Sequence, residues 1–215
     1  MLQKEHFLVY PLKNKEDGEK SMKKTLTVLM MLLLAAMLIV SCNNNPEQKK
    51  TVKVGDVIEL GTYPTEAGET YAGKPITWKV LKIDGSKALV ISEKILTQKS
   101  HGDVAWADSE INKWLNNTGS DGFIAQYGLG DVSMAQVGDV NGKVFLLNKD
   151  EVGTYFADKA SRVAYDLSGK AADWFLSTPN PNGNNYYYCV YDTGTIDNVS
   201  SSYSVGVRPA FWTNL

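Results

Sequence analysis

The sequence predicts an α+β domain in which short strands outnumber two or three short helices. Along most of the chain, apolar and polar side chains alternate over runs of roughly four to eight residues, the period of a half-buried strand. Two stretches instead repeat their apolar residues at spacings of three and four, which is typical of amphipathic helices. Of the 215 residues, 43% are hydrophobic, so the chain can build a packed core.

The first elements of the domain are predicted strands. Residues 57–60 form a short apolar run that ends before a proline, and residues 76–83 alternate apolar and polar side chains. Asp84 and Gly85 are a favoured turn pair, and residues 88–91 follow as a third strand. The sequence therefore predicts a β-hairpin that turns at Asp84-Gly85.

A helix is predicted next. Ile111, Trp114 and Leu115 fall on one helical face, and either Asp108 or Ser109 can cap its first turn. This helix is the first of the two or three in the predicted fold.

The second half of the domain mixes helices, strands and turns. A short helix is predicted at residues 123–127 and a buried strand at residues 144–147. Asn148 and Glu151 then resemble a capping box, which begins another helix. The last third is predicted to be strands and turns, with strands at residues 174–176, 186–191 and 205–212.

An export signal is predicted before the domain. Lys23 and Lys24 precede an apolar run at residues 26–40, which matches the charged and apolar regions of a secretory signal. A membrane span needs roughly 20 apolar residues, so this run is short for one. The run ends at Cys42, and the junction resembles the lipobox of bacterial lipoproteins, which implies a signal peptide at residues 22–41 and lipid on that cysteine. The alternative is a buried core helix with an incidental cysteine.

The predicted organisation follows from that signal. Residues 1–21 are rich in charged side chains, which is unusual immediately before a signal peptide. We therefore expect translation to begin at Met22 and residues 1–21 to be a mis-annotated extension. The lipidated cysteine and a polar tether occupy residues 42–51, and the domain occupies residues 52–215. Two or three acyl chains give stable membrane anchoring. Because Asn43 is not the aspartate that retains some lipoproteins at the inner membrane, the expected location is the cell envelope, at the outer membrane or cell surface.

The composition of the mature chain disfavours several classes of function. Cleavage leaves a net charge of about −4, which is unfavourable for nucleic-acid binding. Once Cys42 carries lipid, Cys189 has no intramolecular disulfide partner. His101 is the single remaining histidine, so a His/Cys zinc site is not expected. We predict neither a metal nor a cofactor.

The order of landmarks along the domain resembles a known pattern. Its most specific parts are Trp-Leu-Asn at residues 114–116, the segment 174–179 and Gly-Val-Arg-Pro-Ala at residues 206–210. With these parts, nearly all of residues 55–215 resembles an uncharacterised domain family that is common in bacterial lipoproteins and surface proteins.

That family looks distantly similar to the C-type-lectin-like fold, in the version found in formylglycine-generating enzymes and in retroelement-diversified ligand-binding proteins. The resemblance implies a mixed sheet with helices on one side, a loop-rich C-terminal part, and pairing of the first strand with the last. The oxidases of that fold use a cysteine pair, whereas the mature domain has only Cys189. The resemblance therefore implies a binding domain, and the alternative is a cell-envelope enzyme or enzyme accessory of this fold without the cysteine pair.

Two segments near the C-terminus carry the predicted ligand-binding surface. Residues 180–188 and 198–203 are rich in Asn, Tyr, Ser and Gly, the residue types of adaptable recognition loops. The alternative is a polar connection between strands, with alternate tyrosines buried in the core. The residues predicted to bind are Asn182, Asn184, Asn185, Tyr186, Tyr188, Asn198, Ser201 and Tyr203.

Other chemically active residues are expected to be structural. Cys189, within a strand-like run, is predicted to be a buried inert thiol rather than a nucleophile. His101 is predicted to be an exposed loop residue rather than part of a Ser/His/Asp triad. Asp192 and Asp197 lie in a turn-rich segment, where hairpin geometry is a simpler explanation than calcium binding. Arg208, among apolar neighbours, is expected to pair with a carboxylate.

The sequence thus predicts a lipid-anchored, non-catalytic domain that binds a protein or glycan ligand. Its expected partners are the membrane, through the anchor, and that unidentified ligand, with no nucleic acid.

Overall fold

A computed structural model of the chain describes residues 51–68, 70–135, 142–183 and 185–215. The predicted signal peptide, Cys42 and nearly all of the predicted tether lie outside the described residues. No helix in the described part has the length and apolar character needed to cross a membrane. The residues from Val52 to Leu215 belong to one folded unit.

Strands make up more of this unit than helices do, and most elements are short. The strands are β1 (Val57–Thr62), β2 (Pro75–Asp84), β3 (Lys87–Ser92), β4 (Thr97–Ser100), β5 (Met134–Ala135), β6 (Val144–Phe145), β7 (Ala164–Tyr165), β8 (Ala171–Ala172), β9 (Trp174–Pro179), β10 (Tyr186–Val190), β11 (Ile196–Ser200), β12 (Ser204–Val207) and β13 (Ala210–Asn214). The α-helices are α1 (Glu110–Asn116), α2 (Phe123–Gln126), α3 (Lys149–Tyr155) and α4 (Lys159–Arg162), and short 3₁₀ helices span Thr65–Ala67 and Trp106–Asp108. The α+β class is therefore confirmed, although the described part contains four α-helices where two or three helices were predicted.

The first sheet is antiparallel and has the strand order β1-β2-β3-β13-β5, with β6 also pairing with β13. The last strand pairs with β3, where Trp212 lies opposite Leu89, and not with β1. The expectation that the first and last strands pair is therefore wrong. The hairpin of β2 and β3 separates them, because β2 occupies the position beside β1.

The β2–β3 hairpin forms as predicted, but its turn lies one residue later. Asp84 is still in the ladder, opposite Lys87, so the two loop residues are Gly85 and Ser86. Gly85 has φ +58°, which glycine adopts without steric cost at the first turn position. The glycine, rather than the Asp-Gly pair, determines where the chain reverses.

The second sheet is mixed and has the order β11-β10-β9-β12-β4. Its one parallel contact among the described residues joins β12 to β9, where Gly206 lies opposite Trp174. A Cβ on Gly206 would meet the Asp173 carbonyl oxygen and would lie 2.7 Å from the Ile95 Cγ2 atom. Only glycine therefore allows β12 to fit beside β9 at this position.

The predicted strand at residues 205–212 is two strands in two different sheets. β12 belongs to the second sheet and β13 to the first, and Arg208-Pro209 joins them. Proline has no N–H to donate to a ladder, so pairing stops there. Its carbonyl oxygen instead accepts a hydrogen bond from the Ser92 N–H at 3.0 Å.

The helix caps follow the sequence closely. Ser109, not Asp108, caps α1, because its Oγ accepts from the Asn112 N–H at 3.1 Å. At α3 the predicted capping box is present. The Glu151 N–H donates to the Asn148 Oδ1 atom and the Asn148 N–H donates to the Glu151 carboxylate, both at 2.8 Å.

Both faces of the first sheet are buried. Along β3, Ala88 and Val90 pack into one hydrophobic cluster, whereas Leu89 and Ile91 pack into a second cluster on the opposite face. This explains why the strand is a continuous apolar run rather than an alternating one.

Candidate binding site

Three loops meet beside the end of the β10–β11 ladder, where Tyr186 pairs with Ser200. The connection at residues 180–185 leads into β10, and the connection at residues 201–203 leaves β11. The third loop, residues 101–105, follows β4 and is brought here by hydrogen bonds to Ser201.

Backbone hydrogen bonds through Ser201 join the three loops. Its carbonyl oxygen accepts from the His101 N–H at 3.0 Å and from the Gly102 N–H at 3.1 Å. Its own N–H donates to the Asn185 carbonyl oxygen at 2.8 Å. A side-chain bond adds to these, because the Tyr187 hydroxyl donates to the Val104 carbonyl oxygen at 2.8 Å. The loops are thus fixed relative to one another.

Between two of these loops lies an open cleft of about 500 Å³, which we call the loop cleft. One wall is Asp103, Val104 and Ala105, and the other includes Asn180 and Tyr186. Its size lies within the range of roughly 300–1,000 Å³ that is typical of ligand sites. The walls combine a carboxylate, an amide and an aromatic ring.

Below the loop cleft, His101 stacks on Tyr187. The ring centroids are 3.5 Å apart with an interplanar angle of 23°, and Trp106 and Phe175 flank the imidazole. His101 is fully buried, so the expectation of an exposed loop histidine is wrong. The polar sequence around it concealed this burial, because the covering residues are distant along the chain.

The imidazole of His101 is held neutral. Burial lowers the pKa of His101 from its ordinary value of 6.5, and the hydrogen bond to Gly102 opposes this only in part. Its Nδ1–H donates to the Gly102 carbonyl oxygen at 3.0 Å. Its Nε2 atom is buried and has no partner within the described residues. Protonation would place a charge where no acceptor is available.

The loops expose large apolar side chains. Val104 is 45% exposed, Tyr186 is 41% exposed and Tyr203 is 65% exposed. Asn185 has φ +66° and is the one non-glycine residue with positive φ in the described part of the chain. Such backbone strain is concentrated at functional sites. Exposed aromatic groups on rigid loops provide contact area at a low cost in conformational entropy.

The structure brings some of the predicted site residues together. Asn182, Asn185 and Tyr203 lie on the converging loops, Tyr186 begins β10 beside them, and all four are exposed. Of these, Asn185 and Tyr186 line the loop cleft. Ser201 also lies there, but its side chain is buried, so it acts through its backbone and not as a ligand contact. Asn184 lies outside the described residues.

The other two predicted residues lie further along the strands. Tyr188 pairs with Asn198, two positions in from the sheet end. The Tyr188 ring is half-buried under the Lys149 ammonium, which is 4.0 Å from the ring centroid. The Asn198 side chain donates to Asp197, and its carbonyl oxygen accepts from the Tyr191 hydroxyl. Both are occupied by internal contacts and do not line the loop cleft.

Sequence reasoning missed one wall of the loop cleft. Asp103, Val104 and Ala105 come from the segment after β4, far along the chain from the tyrosine-rich loops. No local pattern marks them, because long-range hydrogen bonds to Ser201 and from the Tyr187 hydroxyl bring this segment to the cleft. The alternative that alternate tyrosines are buried holds at the start of β10, where Tyr187 is buried and Tyr186 is exposed.

Cys189 is a buried free thiol, as predicted. Burial raises the pKa of Cys189 to about 12, and the charges of Asp173 and Asp197 add to the effect. The thiolate, which is the nucleophilic form, is therefore scarce at neutral pH.

Arg208 is buried as expected, but the contacts that hold it differ from the prediction. Its Nε–H donates to the Ser92 carbonyl oxygen at 2.8 Å, and its guanidinium lies 5.0 Å from the Trp174 ring and 5.5 Å from the Phe156 ring. Burial lowers its pKa to about 10, and the charge of Glu93 opposes this. Among the described residues, a carbonyl and two aromatic rings therefore take the place of the expected carboxylate partner.

The acidic residues near β11 belong to a hairpin. The segment from Asp192 to Thr195 reverses the chain between β10 and β11, with the Gly194 N–H donating to the Tyr191 carbonyl oxygen at 2.8 Å. Asp197 accepts from both nitrogens of Asn198. Within the described ranges, no three His, Cys, Asp or Glu side chains are grouped so that they could hold a metal ion.

The fold and these loops define an α+β domain with a loop-built cleft at one sheet end. Residues 85–215 match the model of a protein family described as a domain of unknown function, DUF6273. The match covers more than half of the chain, which therefore belongs to this family. It begins at the β2–β3 turn, so β1 and β2 lie outside it. Searches of curated proteins and of solved structures found no match.

Proposed function

We propose that the protein is a lipid-anchored, non-catalytic receptor of the cell envelope that binds a protein or glycan ligand in the loop cleft and on the adjoining exposed segment 201–203. The observation that carries this proposal is the convergence of three loops on Ser201, with Val104, Tyr186 and Tyr203 exposed on them. Rigid loops with exposed aromatic side chains lose little conformational entropy on binding.

The proposed anchor rests on the sequence alone. The lysine pair, the apolar run and Cys42 support export and lipidation, with the outer membrane or cell surface as the proposed location. Labelling with an alkyne fatty acid tests this proposal. We expect the full chain to be labelled and its Cys42→Ser variant to remain unlabelled, and equal labelling of the two would contradict it.

We also propose that the domain is a distant variant of the C-type-lectin-like fold. The mixed second sheet and the loop-rich connections near the C-terminus support this. The last strand adds to β3 instead of β1, so the variant would differ from the expected closure of that fold.

The binding proposal is tested with matched tyrosine variants. The labelled full chain, in detergent, is applied to a glycan array and to a display library of extracellular protein domains. We expect saturable binding to a ligand from one of the two, and a loss of at least tenfold in affinity for the double variant Tyr186→Ser, Tyr203→Ser. Tenfold corresponds to about 1.4 kcal/mol.

Tyr165→Ser is the matched control. Tyr165 is 49% exposed, similar to Tyr186, but it lies on β7 and outside the loop cleft. Its replacement should leave binding unchanged. Binding by the double variant that equals that of the control would contradict the proposal, as would the absence of any ligand on both surfaces.

A further inference from the structure

A second cleft, of about 420 Å³, shares no lining residue with the loop cleft. We call it the tryptophan cleft, after Trp114 on α1. It lies where α1, α2, β4, the 3₁₀ helix Thr65–Ala67 and the loop before β8 meet. The lining side chains that matter for its chemistry are Glu66, Lys99, Trp114, Asp121, Gln126 and Tyr127.

The aromatic part of the tryptophan cleft is rigid. Trp114 is half-buried and packs against Phe123, with ring centroids 5.2 Å apart, and against the edge of Tyr127 at 6.1 Å. The Tyr127 hydroxyl donates to the Leu96 carbonyl oxygen at 3.2 Å. The Tyr127 carbonyl oxygen accepts from the Thr62 N–H at 2.9 Å. The indole is thus held in place without a ligand.

The polar groups around this aromatic part are also positioned. Asp121 Oδ1 accepts from the Asn117 Nδ2–H at 2.9 Å, which leaves its second oxygen available. The Lys99 ammonium lies 4.5 Å from the centre of the Trp114 ring. Gln126 is exposed at the rim and can both donate and accept. The cleft therefore offers acceptors and donors beside a rigid aromatic group.

The charge balance limits the ligand class. Two carboxylates, Glu66 and Asp121, line the tryptophan cleft against one ammonium, that of Lys99. This balance disfavours phosphates and other anions. The lining is also too polar for a purely apolar ligand, because charged and amide groups would lose water without new partners.

We propose that the tryptophan cleft binds a neutral saccharide of one or two rings. Sugar hydroxyls both donate and accept, so they can donate to Glu66 and Asp121 and accept from Lys99 and Gln126. The C–H face of a sugar ring packs against an aromatic side chain such as that of Trp114. The cleft volume is within the range of small-molecule sites. This site is independent of the receptor function proposed for the loop cleft.

Calorimetric titration of the full chain with four neutral disaccharides tests the proposal. The probes are maltose, cellobiose, xylobiose and N,N′-diacetylchitobiose, and the detergent must lack a sugar headgroup. We expect at least one probe to bind saturably. Glu66→Gln and Asp121→Asn, which keep the side-chain shape, should each weaken that binding at least tenfold.

The control is Asn180→Ala, which alters the loop cleft and should leave disaccharide binding unchanged. Circular dichroism and thermal unfolding establish that each variant is folded. The proposal is overturned if none of the four probes binds. It is also overturned if Glu66→Gln and Asp121→Asn bind as the unmodified chain does, or if Asn180→Ala weakens binding as much as they do. The tyrosine variants of the loop cleft serve as a separate test, so the two proposals can fail independently.

Discussion

His101 shows how a single residue can couple the interior of this domain to its surface. Its ring is buried, yet the residue it stacks on, Tyr187, lines the loop cleft and bonds to Val104 on the opposite wall. Burial raises the pKa of Tyr187, and the charge of Asp103, two residues after His101, adds to this effect. We therefore expect protonation of His101 to weaken the packing beneath the loops.

We predict that His101 makes stability depend on pH. Because burial lowers the pKa of His101 in the folded protein, the unfolded chain binds more protons below its ordinary value of 6.5. The free energy of unfolding should therefore be highest above pH 6.5 and fall as the pH drops through the folded-state pKa. Between pH 7.0 and pH 5.5 we expect the free energy of unfolding to decrease, as measured by urea unfolding.

The matched variant is His101→Phe, which keeps an aromatic ring against Tyr187 but cannot titrate. Its stability should change less over the same pH interval. His6 and the carboxylates are present in both chains, so their contributions cancel in the comparison. An unchanged pH dependence in His101→Phe would show that His101 is not the responsible group.

At the scale of single elements, local sequence was sufficient for the helix caps but did not indicate β4, α4 or β11. Ser109 as the cap of α1 and the Asn148–Glu151 box of α3 were predictable because a cap depends on residues within one turn. The β2–β3 turn was displaced by one residue, because Gly85, with positive φ, serves equally well as the first or the second loop residue. Sequence patterns that extend over one helical turn or one hairpin loop thus predict where an element lies better than they predict its terminal residues.

We predict that the capping box contributes measurably to stability. Asn148→Ala removes the acceptor for the Glu151 N–H and should lower the free energy of unfolding by about 1 kcal/mol. Asn148→Asp keeps that acceptor and should have an effect close to zero. Chemical denaturation of the full chain measures both, and equal losses in the two variants would show that the cap is not the cause.

At the scale of the whole molecule, sequence reasoning recovered the α+β class but neither the strand order nor one wall of the loop cleft. The burial of His101 depends on Ser201, Phe175 and Tyr187, which reach it only through the pairing of distant strands. The division of the segment 205–212 between two sheets likewise depends on the strands with which each half pairs. β12 pairs with β4 and β9, and β13 pairs with β3, β5 and β6. These features depend on pairing between strands that are far apart in the sequence. A short stretch of local sequence therefore does not predict them.

Gly206 offers a test of the way the second sheet is assembled. A Cβ there would crowd the Asp173 carbonyl oxygen and Ile95, so Gly206→Ala should destabilise the fold by about 2 kcal/mol. Gly153 is the control, because it lies on α3 and a methyl group added there would have no neighbouring atom within 4 Å. Gly153→Ala should stabilise by about 0.5–1 kcal/mol, since alanine favours helix. If the two variants changed the denaturation midpoint in the same direction, the close approach of β12 to β9 would not be the reason that glycine is required at position 206.

The passage of the chain through Arg208-Pro209 has a consequence for the order of folding. β12 and β13 are interior strands of different sheets, and β4, β5 and β6 pair with no other strand in the described part. Until the segment Ser204–Asn214 has docked, those strands have no pairing partner and neither sheet is complete. Contacts of such long sequence separation slow folding. We therefore expect both sheets to remain incomplete until this segment docks, and their strand pairing then to be completed in one cooperative step.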